Sequence, residues 1–192
     1  MIIKKSALCA IVVFCLTSCA TYERVESNTV TRIGPLGVTP SQEWNSVPKI
    51  HSIGDAETWT ANGTILDSVA FFVGLENGKP LMKGAADQKF PQFKEDMLPH
   101  EIIELVQSSY AIEMGASITG SGELQPTSFG DQEGFEFVFD FVTPDELKRR
   151  AFVTGTVYNG RLFVVAYQAA ALHYYDKHLP AVKKMLATAV VE

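Results

Sequence analysis

The stretch "RAFVTGTVYNGRLFVVAYQ", residues 150–168, constrains the fold more than any other part of the chain. Two runs rich in β-branched and aromatic residues flank Asn159-Gly160. Asn-Gly strongly favours a two-residue hairpin turn, because both residues tolerate positive φ. Such a turn sets the register: Tyr158 faces Arg161, Thr156 faces Phe163, Thr154 faces Val165 and Phe152 faces Tyr167. The opposite face carries Val153, Val157, Leu162, Val164 and Ala166. Apolar side chains on both faces predict a hairpin at the centre of its sheet, covered on both sides.

The neighbouring segments extend this pattern. "GFEFVFDFV", 134–142, alternates strictly, with Phe135, Phe137, Phe139 and Phe141 on one face; a stripe of large rings on one strand face is read as core. "TILDSVAFFVGL", 64–75, reads as a strand, and Asn77-Gly78 after it predicts a short hairpin partner near 79–83. Residues 116–128 form a weaker, glycine-broken strand candidate. His100 to Met114 has helical spacing at Ile102, Leu105, Val106 and Tyr110. Pro99 and Glu101 suit its first turn, and Gly115 its end. A last helix is expected from Leu179 to Val190, with Pro180 in its first turn and Leu179, Val182 and Leu186 on one side. Strand pair, helix, antiparallel meander, helix is an α+β order, predicting an antiparallel sheet of about five to six strands packed by two main helices.

The N-terminus has a different character. Lys4 and Lys5 precede an uncharged apolar run from Ala7 to Leu16, followed by Thr17, Ser18 and Cys19. The run is well short of the roughly 20 residues that span a bilayer as a helix, and its order is that of a secretory leader. Leu16-Thr17-Ser18-Cys19 resembles the lipobox of bacterial lipoprotein precursors. That resemblance implies a signal peptide over 1–18, a diacylglycerol thioether on Cys19, and acylation of its amine in many hosts. With Ala20 at the next position rather than an acidic residue, it implies the outer membrane, periplasmic face. Thr21 to Pro48 is polar, with Gly34, Pro35, Gly37, Pro40 and Pro48, and reads as a flexible tether of about 25–35 Å. Trp44 is expected to mark where that tether docks. The organisation is then 1–18 leader, 19–48 lipidated cysteine and tether, 49–192 one globular domain.

Composition narrows the function. The leader takes Lys4 and Lys5 with it, moving the formal charge from −6 to −8. An acidic domain argues against nucleic acid, whose binding needs concentrated Lys and Arg, and against broad electrostatic docking on anionic lipid. Cys9, Cys15 and Cys19 are the chain's three cysteines, so residues 20–192 have no thiol chemistry. No G-x-S-x-G, P-loop or H-E-x-x-H motif is present, and no catalytic residues or cofactors are expected. "HYYDKH", 173–178, places His173, Asp176 and His178 close in sequence. Two histidines five apart diverge by about 140° on a helix, so an aromatic helix start is favoured over a metal site. Asp67 shares a strand face with Val69 and Phe71. A buried carboxylate needs partners, read as a turn-capping bond or an ion pair with Arg149, Arg150 or Arg161. The sharper alternative is a ligand-binding carboxylate.

The order of elements over about 50–190 resembles the PsbP-like fold and the DcrB-type bacterial lipoproteins, which implies a binding or accessory role. Trp59-Thr60, Gly63, Leu66-Asp67, Phe71-Phe72 and Gly74 are similar to a "WTxxGxxLDxxxFFxG" signature of envelope lipoproteins. The expected function is a non-enzymatic, membrane-anchored binding module of the cell envelope with a protein partner. The alternative is a carrier of lipid or a small hydrophobic ligand between sheet and helices; a hydrolase is a distant third. Trp59, Asp67 and Arg150 are the candidate ligand residues.

Overall fold

The computed structural model describes residues 21–84 and 89–192; the lipobox-like segment and Cys19 lie outside them. Four three-residue strands come first: β1 (Glu23–Val25), β2 (Thr31–Ile33), β3 (Leu36–Val38) and β4 (Trp44–Ser46). They are followed by β5 (Glu57–Thr60), β6 (Asp67–Leu75), α1 (Pro99–Met114), β7 (Ser117–Ser121), β8 (Gln125–Phe129) and β9 (Gln132–Val142). β10 (Lys148–Tyr158), β11 (Arg161–Ala170), α2 (Tyr174–Leu186) and β12 (Val190–Val191) complete the chain.

The β10–β11 hairpin closes through Asn159 and Gly160 at φ 49° and 70°. Its register pairs Tyr158 with Arg161 and Phe152 with Tyr167. It is central in a nine-stranded antiparallel sheet of order β1-β4-β5-β6-β11-β10-β9-β7, with β8 also paired to β9. One face is covered by α1: the rings of Phe135, Phe137, Phe139 and Phe141 stack along β9 at 5.5–6.4 Å between centroids. They meet Ile102, Leu105, Val106 and Tyr110 of α1. The other face is covered by α2 and a small sheet of order β12-β3-β2.

Four expectations are corrected. The sheet is larger than five to six strands, because short segments add strands that alternation over a long window does not detect. Residues 21–48 are not a loose tether: Val25, Ile33, Leu36, Val38, Trp44 and Val47 are buried; Gly34, Pro35, Pro40 and Pro48 occupy turns and links between very short strands, and Gly37 lies within β3. The globular domain therefore starts by Glu23, not residue 49. No strand forms at 79–83; the chain makes a single bridge, Pro80 to Gln92, and lays Leu81, Met82 and Phe93 onto the α1 face. Finally, α2 starts at Tyr174 and holds Pro180 within it, while Val190 is already strand. The Tyr175 ring stacks on Tyr167 at 5.7 Å, and the Tyr167 hydroxyl donates to the carbonyls of Tyr174 and Tyr175. These contacts secure a first turn ahead of the proline.

Gly130, in the β8–β9 turn, is required by close approach. A Cβ there would lie 1.7 Å from the Ala189 carbonyl oxygen, at φ +62°. That contact presses the turn against the chain between α2 and β12.

Candidate functional site

The short N-terminal strands build a cleft of about 500 Å³ between the β1–β4–β5 end of the large sheet and β2. Glu57 and Trp59 lie two apart on β5 and so share a face. The Trp59 indole N–H donates to Glu57 Oε1 at 2.9 Å, and the Ser46 hydroxyl donates to the same oxygen at 2.7 Å. Trp59 packs against Phe71 with 4.5 Å between ring centroids. Arg24 and Arg32 also line the cleft. Arg24 is paired with Glu43, and Arg32 holds Glu192 through two bonds of 2.5 and 2.8 Å. The Arg32 guanidinium holds the Glu192 carboxyl below the usual carboxylate range. The lining is thus an aromatic floor with a committed carboxylate and paired cations. That arrangement suits polar recognition.

Of the three residues singled out from the sequence, only Trp59 lines this cleft. Asp67 is fully buried at the start of β6. Its carboxylate accepts from the Ala61 and Asn62 amides at 2.6 and 2.9 Å and from the Thr60 hydroxyl at 3.1 Å. It caps the 60–63 loop. None of the three arginines reaches it: Arg149 donates to the Ile65 carbonyl, Arg150 to Asp140 at 2.7 and 3.1 Å, and Arg161 to Glu76 at 3.4 Å. Arg150 does lie in line with Asp67 on one sheet face, through Ala169. Two strand spacings, about 10 Å, separate their backbones. The Arg150 guanidinium stands 5.6 Å from the Tyr175 ring centroid.

The capped loop leads to His178. Its Nε2 is 2.7 Å from Asn62 Oδ1, its Nδ1 is 3.1 Å from Gln42 Nε2, and its ring lies 5.9 Å from that of Trp44. Burial lowers its pKa from the ordinary histidine value, partly opposed by the Asp67 charge. With both ring nitrogens engaged, His178 joins the N-terminal segment to α2 as a structural residue. Among the described residues no group of three or more His, Cys, Asp or Glu is placed to hold a metal ion. The "HYYDKH" side chains diverge: His173 is exposed at the helix cap while His178 is buried.

Sequence reasoning missed Glu57, Arg24 and Arg32. The Glu57-x-Trp59 spacing was the available signal. The two arginines carried none, because β1 and β2 are too short to show a pattern.

No family model matches the chain, and no curated protein does. Among solved structures, cyanobacterial PsbP from Synechocystis sp. PCC 6803 superposes with a TM-score of 0.55 at 10% identity, covering 97% of this chain and 98% of that one. The chain therefore shares the PsbP-like fold. LpqN, described as involved in cell envelope biogenesis of Mycobacterium tuberculosis, gives a TM-score of 0.36 at 10% identity, over 92% of this chain and 87% of that one. Among the described residues, no helix is long and apolar enough to cross a membrane.

Proposed function

We propose that this chain is a lipid-anchored envelope protein whose PsbP-like domain is a non-enzymatic binding module held against the membrane surface. Cys19 is the attachment point, and the outer membrane, periplasmic face, is its location. The observation that carries this reading is the spacing between Cys19 and the first strand. β1 begins at Glu23, and four residues reach at most about 14 Å. Two acyl chains give stable attachment, so the domain needs neither a basic face nor a membrane helix. The Glu57–Trp59 cleft opens beside β1, next to the anchor, and is the proposed contact for an envelope partner.

Replacing Cys19 with Ser is expected to abolish labelled palmitate incorporation and release the folded domain from the membrane fraction. Continued incorporation rejects the anchor. A photo-cross-linker at Thr31, on the cleft wall, is expected to capture a discrete envelope component that the Cys19→Ser chain fails to capture. An identical pattern from both chains rejects membrane-apposed binding.

A carrier of a small apolar ligand is the second reading. The space between the sheet and α1 is filled by the β9 rings, so this reading moves to a surface groove of about 270 Å³ lined by Met97, Ile102, Leu124, Phe135 and Val157. Native mass spectrometry of the purified chain supports it if a lipid co-purifies and is displaced by a Val157→Asp change.

A further inference from the structure

The α1 face of the large sheet is not covered along its whole length. Ala151 and Val153 of β10 lie on that face and are fully buried, whereas Val157, on the same face by alternation, is 41% exposed. α1 begins at Pro99, and beyond its first turn β8, β9 and β10 hold a surface groove of about 270 Å³. Phe135, Pro126 and Val157 present the sheet to this groove, and Pro99 and Ile102 present the helix. Pro126 is the cross-strand partner of Phe135 and so shares its face. Leu98, between the lining residues Met97 and Pro99, is 57% exposed. Apolar surface is thus left open at the end of the β9 ring ladder.

The rim of the groove is acidic. Glu133 lines it, on the same face of β9 as Phe135. Asp96, Glu101 and Glu123 are chain neighbours of the lining residues Met97, Ile102 and Leu124. None of these four carboxylates makes an ion pair among the described residues, and Glu101 accepts from the Leu98 amide. Lys94 and His100 stand on the same stretch, and Arg161, at the neighbouring hairpin turn, is held by Glu76. An apolar floor beside negative charge selects its occupant. A second copy of this chain would bring like charge to like, and so would an anionic membrane surface. A small apolar ligand makes no use of the carboxylates, and pockets that enclose one run to about 300–1,000 Å³. A segment with an apolar side chain between cations meets both features.

We propose that this groove is a docking site for a cationic amphipathic segment of a partner protein: an apolar side chain seats against Phe135 and Val157, and lysines or arginines beside it meet Glu133 and the acidic rim. Apolar burial supplies most of the affinity, and the exposed charges select the sign of the partner and speed its encounter. The site is separate from the Glu57–Trp59 cleft, since Phe135 and Ile102 belong to the core on the α1 face and Trp59 to the core on the other. It needs neither that cleft nor the lipid anchor.

The test uses the full chain in zwitterionic lipid nanodiscs, with empty discs as the blank. A fluorescently labelled Lys-Lys-Leu-Leu-Lys-Lys peptide is titrated and its anisotropy followed. Saturable binding is expected. Two control peptides, one with glutamate for lysine and one with serine for leucine, are expected to bind about tenfold more weakly. Val157→Lys places a cation in the groove and is expected to weaken binding by about tenfold or more, as loss of a buried apolar contact does. Glu133→Gln is expected to weaken it about threefold at low salt, and less as salt screens the pair. Asp176→Asn removes the same charge from an exposed position on α2, on the other face, and is expected to change nothing. No saturable binding, equal binding of the glutamate peptide, or an affinity unchanged in Val157→Lys overturns the proposal. Equal losses from Glu133→Gln and Asp176→Asn overturn it too, by reducing it to bulk charge. Should a lipid co-purify and Val157→Asp displace it while the peptide fails to bind, the groove belongs to the carrier reading and the proposal falls. If Val157→Lys does not fold, Glu133→Gln and the wild-type titrations still decide it.

Discussion

The two faces of the large sheet are covered in different ways. Under α1, four phenylalanines of one strand meet one helix, and most of the contact is apolar. Under α2 and the small sheet, aromatic packing is threaded by polar bonds. Asp67 caps a loop, the loop presents Asn62 to His178, and His178 meets Gln42 and Trp44 from the N-terminal segment. The difference teaches that one face is held by volume and the other by connectivity. The first tolerates exchanges that keep volume, whereas the second depends on particular donors and acceptors.

The largest expected effect lies on the α1 face. Phe139 is buried and packs edge-on against Tyr110 at 5.4 Å. Phe139→Ala is expected to lower unfolding free energy by about 3–5 kcal/mol in chemical denaturation, and Phe139→Leu by clearly less. Equal losses from both would break the volume description. On the other face, Asp67→Ala leaves the Ala61 and Asn62 amides without their acceptor, while the Thr60 hydroxyl keeps the main-chain carbonyl of residue 67 at 2.7 Å. A loss of about 3 kcal/mol is expected, with Asp67→Asn recovering part of it through its remaining carbonyl. If Asp67→Ala is near neutral, connectivity does not hold that face.

Smaller effects sharpen the contrast. Asn62→Ala removes the 2.7 Å partner of His178 and is expected to cost about 1 kcal/mol. Hydrogen exchange should rise at 39–46 and in α2 without change in α1; a uniform rise would mean the faces are not independent. The smallest effect is on pH dependence. Burial holds the folded-state pKa of His178 below the ordinary value. As pH falls through about 6.5, the unfolded chain takes up the proton first. Stability is then lost down to the folded-state pKa and is level below it. Denaturation midpoints at three pH values are expected to show a shallower acid dependence in His178→Gln. An unchanged slope would remove His178 from the linkage.

Legibility followed the same division. The Phe135–Phe141 ladder and α1 were readable because each element carries a repeated apolar period over nine or more residues. Trp59 was singled out and does line the N-terminal cleft, whereas Asp67 serves its own loop and Arg150 pairs with Asp140. The N-terminal strands were hidden, since three residues hold too few side chains to define a period. The turn residues between them carry the composition of a linker.

The sequence by itself determined the central hairpin and its register, the core face of β9, and the span of α1, because turn chemistry and side-chain alternation act within a few residues. Only the tertiary structure decided that residues 21–48 belong to the domain and that α2 begins before its proline. It alone decided that Asp67 caps a loop while Arg149 is buried on the α1 face. A polar group's role depends on which distant donors and acceptors the fold brings within about 3 Å, and no local pattern carries that information.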